Sequence, residues 1–302
     1  MGVTIHFIEP ATLKMVSSAL ACRRFLGEHT GVAIGRMLSD LYRELKISNK
    51  VQNVVTDNAA NFSKAYSLFV EVDREESSSD VENIPLPDTS EYTNGMDDES
   101  DTEESEIVVL PPQKRCGNHS LNLVTSVDAL KAREDKNYQR AYDKVMGKVQ
   151  ALWNSVSRSP KHNDTVVEIV GKTFIQPNST RWSSEYHAVE RVVEIGLNKI
   201  VECQTALGLS KMSEMDMKFL ASYLYVMKAF VSAMKIMEGE SECYLGLVIP
   251  TIIGLEKKLQ KNADPSMKPL IKALSDGLTE RFGGVLSDKE YRIASALHPK
   301  FK

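Results

Sequence analysis

The sequence predicts an α/β fold whose sheet is interrupted by a long helical region. Short apolar strands alternate with amphipathic helices within residues 1–70. Residues 71–106 are acidic and poor in large apolar side chains, and almost every periodic segment within residues 121–302 has apolar residues at intervals of three or four. These three observations indicate a mixed sheet whose continuation is displaced by helices.

The first 70 residues hold the predicted strands. Residues 3–9 alternate enough to predict a half-buried strand, and residues 13–21 are either its antiparallel partner or a helix. The pattern then predicts a helix at residues 29–45, since a Thr-Gly pair precedes its apolar stripe. A continuous apolar run at residues 50–57 predicts a strand buried on both faces, and residues 59–69 follow as a helix.

The acidic segment, residues 71–106, has 15 acidic residues and one basic residue, a local charge of −14. Its composition cannot bury enough apolar surface to offset the loss of chain entropy, so we expect a disordered insertion. The other 266 residues carry a charge of +10, although the whole chain carries −4. One hypothesis is that the acidic segment masks the basic remainder as a tethered mimic of DNA.

After the acidic segment, residues 107–120 are predicted to form a short strand and a junction of the core. Residues 121–302 are predicted to form an all-helical insertion domain. Its clearest helical segments are residues 136–156, 183–207, 213–237, 247–260 and 267–283.

The composition is that of a globular intracellular protein. The apolar stretch at residues 244–255 is broken by Pro250 and is too short for a bilayer that needs about 20 residues, so we expect no membrane span. The amino terminus has no basic region followed by an apolar run. The four cysteines have no framework spacing, which favours reduced thiols.

Three clusters hold the residues with candidate chemistry: "VVTDNAANFSKAY" at 54–66, "RCGNHSLNLV" at 115–124 and "STRWSSEY" at 179–186. Their order and content resemble the catalytic region of hAT-superfamily transposases and of their relatives, the zinc-finger BED-domain proteins. The resemblance extends to "VTIHFIE", "HTGVAIGRML" and "IASALHPKFK". It covers most of the chain outside the acidic segment.

The resemblance implies an incomplete ribonuclease-H-like sheet, interrupted by the all-helical insertion domain. In the family, two divalent metal ions sit on three carboxylates, because two hard cations need several oxygen ligands. Asp57 matches the second carboxylate, and the first and third are expected outside residues 1–302. We therefore expect an inactive form with no bound metal or cofactor, and Mg²⁺ or Mn²⁺ only in an intact parent enzyme. His298 stands where the family has an aspartate, outside the metal set.

Asp57 has two interpretations. The first is an inherited metal ligand that no longer holds metal tightly. The second, which we favour, is a residue at the end of a strand that accepts hydrogen bonds, with Asn58, from the free amides of the next helix. Such a cap contributes about 0.5–2 kcal/mol.

Cys116 and His119 form a C-x₂-H pair. Structural zinc needs four ligands, usually in two close pairs, and the sequence offers no second pair. Packing and hydrogen bonding where a strand leads into a helix are the favoured interpretation.

Arg181 and Trp182 are the candidate nucleic-acid contacts, together with Lys114 and Arg115. The resemblance implies that Trp182 stacks on a flipped base, and stacking of this kind contributes roughly 1–3 kcal/mol. Arg181 would then hold a neighbouring phosphate. Anchoring of a helix in the core is the equal alternative for Trp182. Further basic residues that permit weak contacts with phosphate are Lys172, Lys257, Lys258, Lys261 and Arg281.

These features predict a nuclear, catalytically inactive, transposase-derived protein that acts as a DNA-associated or protein-interaction module. The alternatives are a fragment of an active hAT transposase and a helical protein-binding scaffold that does not contact DNA. We expect weak or nonspecific DNA binding and nuclear protein partners. Homo-oligomerisation is doubtful without the family's carboxy-terminal dimerisation region.

Overall fold

The computed structural model describes residues 1–57, 60–69, 110–178, 182–238, 244–261 and 264–301, without the side chains of Ala60 and Trp182. The predicted acidic insertion therefore lies outside the described residues. The chain divides into two compact units. The smaller unit is Arg24–Cys116, and the larger one combines Met1–Arg23 with Gly117–Lys302.

A β-hairpin begins the larger unit. Strands β1 (Gly2–Ile8) and β2 (Met15–Cys22) pair in antiparallel register, with Phe7 opposite Val16. The residues at 13–21 are thus mainly a strand and not a helix, which resolves the alternative left open by their Ala and Met content. Leu13 takes a positive φ of 56° in the connecting turn, where few L-residues are found.

The described part of the smaller unit contains two helices and two short strands in the order α1 (Gly31–Glu44), β3 (Val54–Thr56), α2 (Ala60–Phe69) and β4 (Gln113–Arg115). The predicted helix after the Thr-Gly pair is confirmed as α1. The hydroxyl of Thr30 accepts a hydrogen bond from the amide of Ala33 at 3.2 Å, which caps the first turn.

Two glycines let α1 lie close to α2. A Cβ atom on Gly31 would lie 2.9 Å from the backbone nitrogen of Ala65, and one on Gly35 would overlap the ring of Phe69. The apolar side of α1 is buried at Ile34, Leu38 and Leu41.

Strands β3 and β4 pair in parallel, with Thr56 opposite Arg115. The strand predicted at residues 50–57 is thus confirmed in part, but its burial on both faces is wrong, because Val55 is 64% exposed. Val54 and Thr56, whose side chains point to the other face, are half-buried. The described strand after the acidic segment is the polar Gln113–Arg115, while residues 107–109 of the apolar run lie outside the described residues.

Helices fill the rest of the larger unit. They are α3 (Gly117–Ser126), α4 (Lys136–Arg158), α5 (Pro160–Val170), α6 (Trp182–Ile195), α7 (Leu197–Ala206), α8 (Glu214–Met237), α9 (Val248–Gln260), α10 (Lys268–Ser287) and α11 (Lys289–Leu297), with 3₁₀ turns at Asp128–Glu134, Leu245–Leu247, Pro265–Met267 and Pro299–Phe301.

The helical segment predicted at residues 183–207 is two helices. Gly196 separates α6 from α7 with a φ of 85°, a conformation that costs glycine little. The core between the helices includes the fully buried side chains Trp153, Phe230 and Phe282.

Helix α8 is long and apolar enough to cross a membrane by length and composition, and half of its most apolar window is buried inside the fold. It is a longer apolar stretch than residues 244–255. Phe219, Leu220, Met227 and Phe230 on α8 lie in the core of the larger unit. The buried side chains give this helix the environment of a core helix.

Over its described residues the chain is therefore mostly helical, with two small sheets, and the coarse expectation of mixed helices and strands is confirmed. The described strands form two separate two-stranded sheets, β1 with β2 and β3 with β4. A continuous ribonuclease-H-like sheet stays a prediction.

Candidate nucleic-acid interface

Asp57 is exposed and directly follows β3, where this strand ends before α2. Its carbonyl oxygen accepts a hydrogen bond from the Thr56 hydroxyl at 2.9 Å. The position between strand and helix is compatible with both interpretations of this residue. Asn58, its predicted partner in capping, lies outside the described residues, so the choice between cap and remnant ligand stays a prediction.

A centre for divalent metal ions needs several ligating side chains close together. Among residues 1–57, 60–69 and the described parts of 110–301, no three or more His, Cys, Asp or Glu side chains come together in a way that would hold a metal ion. Two divalent cations need several oxygen ligands, so the described residues do not fit the two-metal centre that the resemblance to hAT transposases implies.

Lys114 and Arg115 lie on β4, opposite Val55 and Thr56 of β3. Arg115 is exposed, whereas Lys114 is half-buried. The amide of Cys116 donates a hydrogen bond to the Thr56 carbonyl at 2.8 Å, which extends the ladder beyond the last strand residue. Arg115 therefore presents a positive charge near the carboxyl end of the strand pair.

The Cys116–His119 region lies where β4 leads into α3. Cys116 is half-buried, and His119 is half-buried in the first turn of α3. Two neighbours of His119 contact the carboxyl end of α8: a Cβ atom on Gly117 would lie 3.2 Å from the sulfur of Met237, and the Asn118 amide donates to Glu238 Oε1 at 3.2 Å. These contacts agree with a structural junction, and the sequence alone gave no signal for Asn118.

Arg181 lies outside the described residues, as does the side chain of Trp182, so their assigned roles stay predictions. Helix α6 begins at Trp182. Asn178, before residues 179–182, and Ser184, after them, are joined by two hydrogen bonds. The Ser184 hydroxyl accepts from the Asn178 amide at 2.8 Å and donates to the Asn178 carbonyl at 2.7 Å. This double contact fixes the spacing between Asn178 and the first turn of α6.

A cleft of about 410 Å³ lies beside this first turn in the larger unit. Its lining includes Arg133, Tyr138, Tyr142, Asn178, Glu185 and Tyr223. The rings of Tyr138 and Tyr142 stack at 5.9 Å, and the guanidinium of Arg133 lies 5.5 Å from the centre of the Tyr142 ring. The cleft therefore combines aromatic rings with several polar and charged groups.

Electrostatics in the cleft centre on Glu185. Burial raises the pKa of this carboxyl, while its hydrogen bond from Tyr142 acts in the opposite direction. The Nε of Arg133 is buried and makes no hydrogen bond to a described residue, although its Nη2 donates to Asp143 at 2.7 Å. Sequence reasoning missed this cleft, since its residues come from distant segments.

The other basic candidates differ in their availability. Lys172, Lys257, Lys258 and Lys261 are exposed. Arg281, in contrast, donates to the buried carboxylate of Asp128 through Nε and Nη2. An engaged guanidinium of this kind has little freedom to reach a phosphate, so its interpretation as a surface phosphate contact is not supported.

The fold and the site define a mostly helical protein with a small α/β unit and exposed basic groups. No known protein-family model matches the chain. The chain is similar to "Zinc finger BED domain-containing protein 4" from Homo sapiens, with 24% identity over 197 residues. The match covers 62% of this chain and 16% of the human protein. It supports a relation to BED zinc-finger proteins, at the level that such an identity allows.

Proposed function

We propose that this chain is a nuclear, DNA-associated module derived from an hAT transposase, without strand-cleavage activity in this form. The observation that carries the proposal is the similarity to a BED zinc-finger protein over 62% of the chain. The DNA-binding role, the nuclear location and the ribonuclease-H-like ancestry of the β3–β4 pair are parts of the same proposal.

The charge distribution supports contact with DNA. Outside the acidic segment the chain carries +10, and Arg115, Lys257 and Lys258 are exposed. Basic side chains of this kind release counterions from phosphates, which gives affinity that is independent of sequence and sensitive to salt. Nonspecific binding at low salt is the expected behaviour.

The geometry at β3 and β4 supports the proposed lack of cleavage. Asp57 directly follows β3 and is exposed. Two divalent cations need several oxygen ligands. Among the described residues, Asp57 belongs to no group of three or more His, Cys, Asp or Glu side chains that could hold a metal ion.

A cleavage assay tests this proposal. The purified chain is incubated with supercoiled plasmid and with duplex oligonucleotides in Mg²⁺ or Mn²⁺. We expect no nicking above background. Reproducible nicking that is lost in Asp57→Ala and retained in Asp40→Ala would overturn it, since Asp40 is an exposed carboxylate on α1 whose side chain is 64% accessible.

Two further measurements separate the DNA-associated module from a pure protein scaffold. Retention on DNA-cellulose at low salt, with release at higher salt, is expected for the module. A fluorescent fusion of the full chain is expected to accumulate in the nucleus. Failure of retention at low salt would favour the scaffold.

A further inference from the structure

Helix α4 carries four basic residues at intervals of four: Lys136, Arg140, Lys144 and Lys148. Each interval advances the helix by about 6 Å and rotates it by about 40° beyond a full turn, so the four side chains follow one face. Together they extend over about 18 Å. We call these four residues the α4 basic stripe.

The stripe faces away from the core. Lys136, Arg140 and Lys144 are exposed, and Lys148 is half-buried. The opposite side of α4 is fully or nearly fully buried at Val145, Val149, Leu152, Trp153 and Val156. The apolar side thus holds α4 in the larger unit, and the charged side remains accessible.

A buried carboxylate positions the carboxyl-terminal half of the stripe. Asp216 lies at the start of α8, and its side chain is 3% exposed. Lys148 Nζ lies 2.6 Å from its Oδ2, and Lys144 Nζ lies 3.5 Å from its Oδ1. Lys148 also donates to the Lys211 carbonyl at 2.8 Å. Lys148, whose side chain is 17% exposed, is therefore engaged within the fold, and Lys136, Arg140 and Lys144 are the cations of the stripe that remain exposed.

Among the described residues, Asp216 is the one carboxylate in ion-pair contact with the stripe, and it contacts Lys144 and Lys148. The two acidic residues next to the stripe in sequence bind elsewhere. Asp135 accepts from the amides of Asn137 and Tyr138 as the helix cap, and Asp143 pairs with Arg133.

A small residue lies between two of the cations. Gly147, between Lys144 and Lys148, is exposed and has open space around the position of a Cβ atom. A membrane-surface helix presents large apolar side chains to the lipid, and none lies among the residues of the stripe face. The glycine instead leaves room for a phosphate backbone to approach this part of the helix.

We propose that the α4 basic stripe binds the phosphate backbone of a nucleic acid. This inference rests on the proposed function, and it locates the contact surface on a helix outside the three motif clusters. The exposed cations Lys136, Arg140 and Lys144 extend over about 12 Å, which is long enough to contact more than one backbone phosphate. The binding reads backbone charge and carries no sequence information.

The salt dependence of DNA binding tests the stripe. K136Q/R140Q removes two exposed charges that make no ion pair with a described residue. Binding to a 30-base-pair duplex of arbitrary sequence is measured by fluorescence anisotropy across a salt series. Each lost phosphate contact reduces the magnitude of the slope of log K against log salt by about 0.9. We therefore expect the loss of two contacts to reduce it by about 1.8. The charge-preserving K136R/R140K should keep the wild-type slope.

The matched control is K228Q/K235Q, which removes two exposed lysines of α8. Its slope should stay at the wild-type value.

Two results would refute the stripe while the proposed function stands. The first is a wild-type slope for K136Q/R140Q, and the second is an equal reduction of the slope in K136Q/R140Q and K228Q/K235Q. Binding of phosphatidylserine vesicles, but not DNA, through Lys136 and Arg140 would also refute it. A wild-type chain that does not bind the duplex at low salt would overturn both proposals. Circular dichroism confirms that the variants fold.

Discussion

Arg281 on α10 donates two hydrogen bonds to the buried carboxylate of Asp128, from Nε to Oδ2 at 2.5 Å and from Nη2 to Oδ1 at 3.1 Å. Asp128 begins the 3₁₀ segment between α3 and α4, and its side chain is 3% exposed. Lys131 lies 3.8 Å from the same carboxylate. The bidentate pair therefore joins α10 to the connection between two other helices.

Asp128→Asn is expected to destabilise the chain by about 3 kcal/mol, because Arg281 loses its anionic partner in a largely buried site. Urea unfolding followed by circular dichroism measures the loss. Glu280→Gln is the control, since Glu280 is exposed and pairs with exposed Lys131; it should change stability by less than about 1 kcal/mol. An equal effect of both substitutions would contradict the structural role of the Asp128–Arg281 pair.

Gly277 permits this ion pair by lying directly against Asp128. A Cβ atom on Gly277 would lie 2.7 Å from Asp128 Cβ and Oδ2. Gly277→Ala is therefore expected to cost about 1–3 kcal/mol, despite the better helix propensity of alanine. Gly283→Ala on the same helix has open space around its Cβ and should gain up to about 1 kcal/mol. Stabilisation by both alanines in urea unfolding would contradict the close packing.

Local signals identified several of the helices, although α5 and α11 were not among the predicted segments and α6 and α7 were predicted as one helix. Thr30 and the apolar spacing after it identify α1, and the helix predicted at residues 213–237 is α8. These signals act between residues within four positions of each other, so the sequence displays them directly. The spacing of Lys136, Arg140, Lys144 and Lys148 was equally visible, and periodicity in charge as well as in apolar residues would have found the stripe.

Contacts between distant segments were not predictable in this way. Polar Gln113–Arg115 is a strand because it pairs with β3, about 60 residues earlier in the sequence. Asp128 and Arg281 are separated by 153 residues, and no local pattern joins them. The same difference holds for the candidate site. The sequence predicted Asp57 at the end of a strand, but the cleft around Glu185 is formed by residues that only the tertiary fold brings together.

Asp216→Asn is expected to destabilise the chain by about 1–3 kcal/mol at neutral pH, because Lys148 loses a charged hydrogen-bond partner. Burial opposes the shift, but bonds from Lys148 and Ser213 prevail and lower the pKa of Asp216 below 3.8. A lowered pKa in the folded state stabilises the chain above the ordinary value of the carboxyl. That contribution is lost as the pH falls through the folded-state pKa.

The difference in unfolding free energy between wild type and Asp216→Asn should thus be largest above pH 5 and shrink below pH 4. Urea unfolding at a series of pH values measures it. Asp164→Asn, at an exposed position on α5, should give little difference at any pH. A difference for Asp216→Asn that grows on acidification would contradict the ion pair.

Glu185→Gln is expected to stabilise the chain at neutral pH, whereas Asp216→Asn is expected to destabilise it. Burial raises the pKa of Glu185, so its contribution is present below the ordinary value of 4.5 and is lost as the pH rises through the folded-state pKa. The glutamine keeps an acceptor for Tyr142 without the charge. Thermal unfolding should show similar melting temperatures near pH 4 and a higher one for the variant at pH 7. If the melting temperature of the variant falls relative to that of wild type between pH 4 and pH 7, burial of the carboxyl is contradicted. Glu202→Gln, exposed on α7, is the control.

Removal of residues 71–106 is expected to tighten nonspecific DNA binding at moderate salt. The deletion removes 14 net negative charges and leaves the remaining 266 residues with +10, so the competition with phosphate for basic side chains is relieved. A variant of full length, in which the 15 acidic residues of the segment become Asn or Gln, separates charge from chain length. Both variants should bind a duplex more tightly than wild type in the anisotropy assay, with the gain shrinking as salt rises. Tighter binding by the deletion alone would assign the effect to steric obstruction, and unchanged binding by both would refute masking by charge.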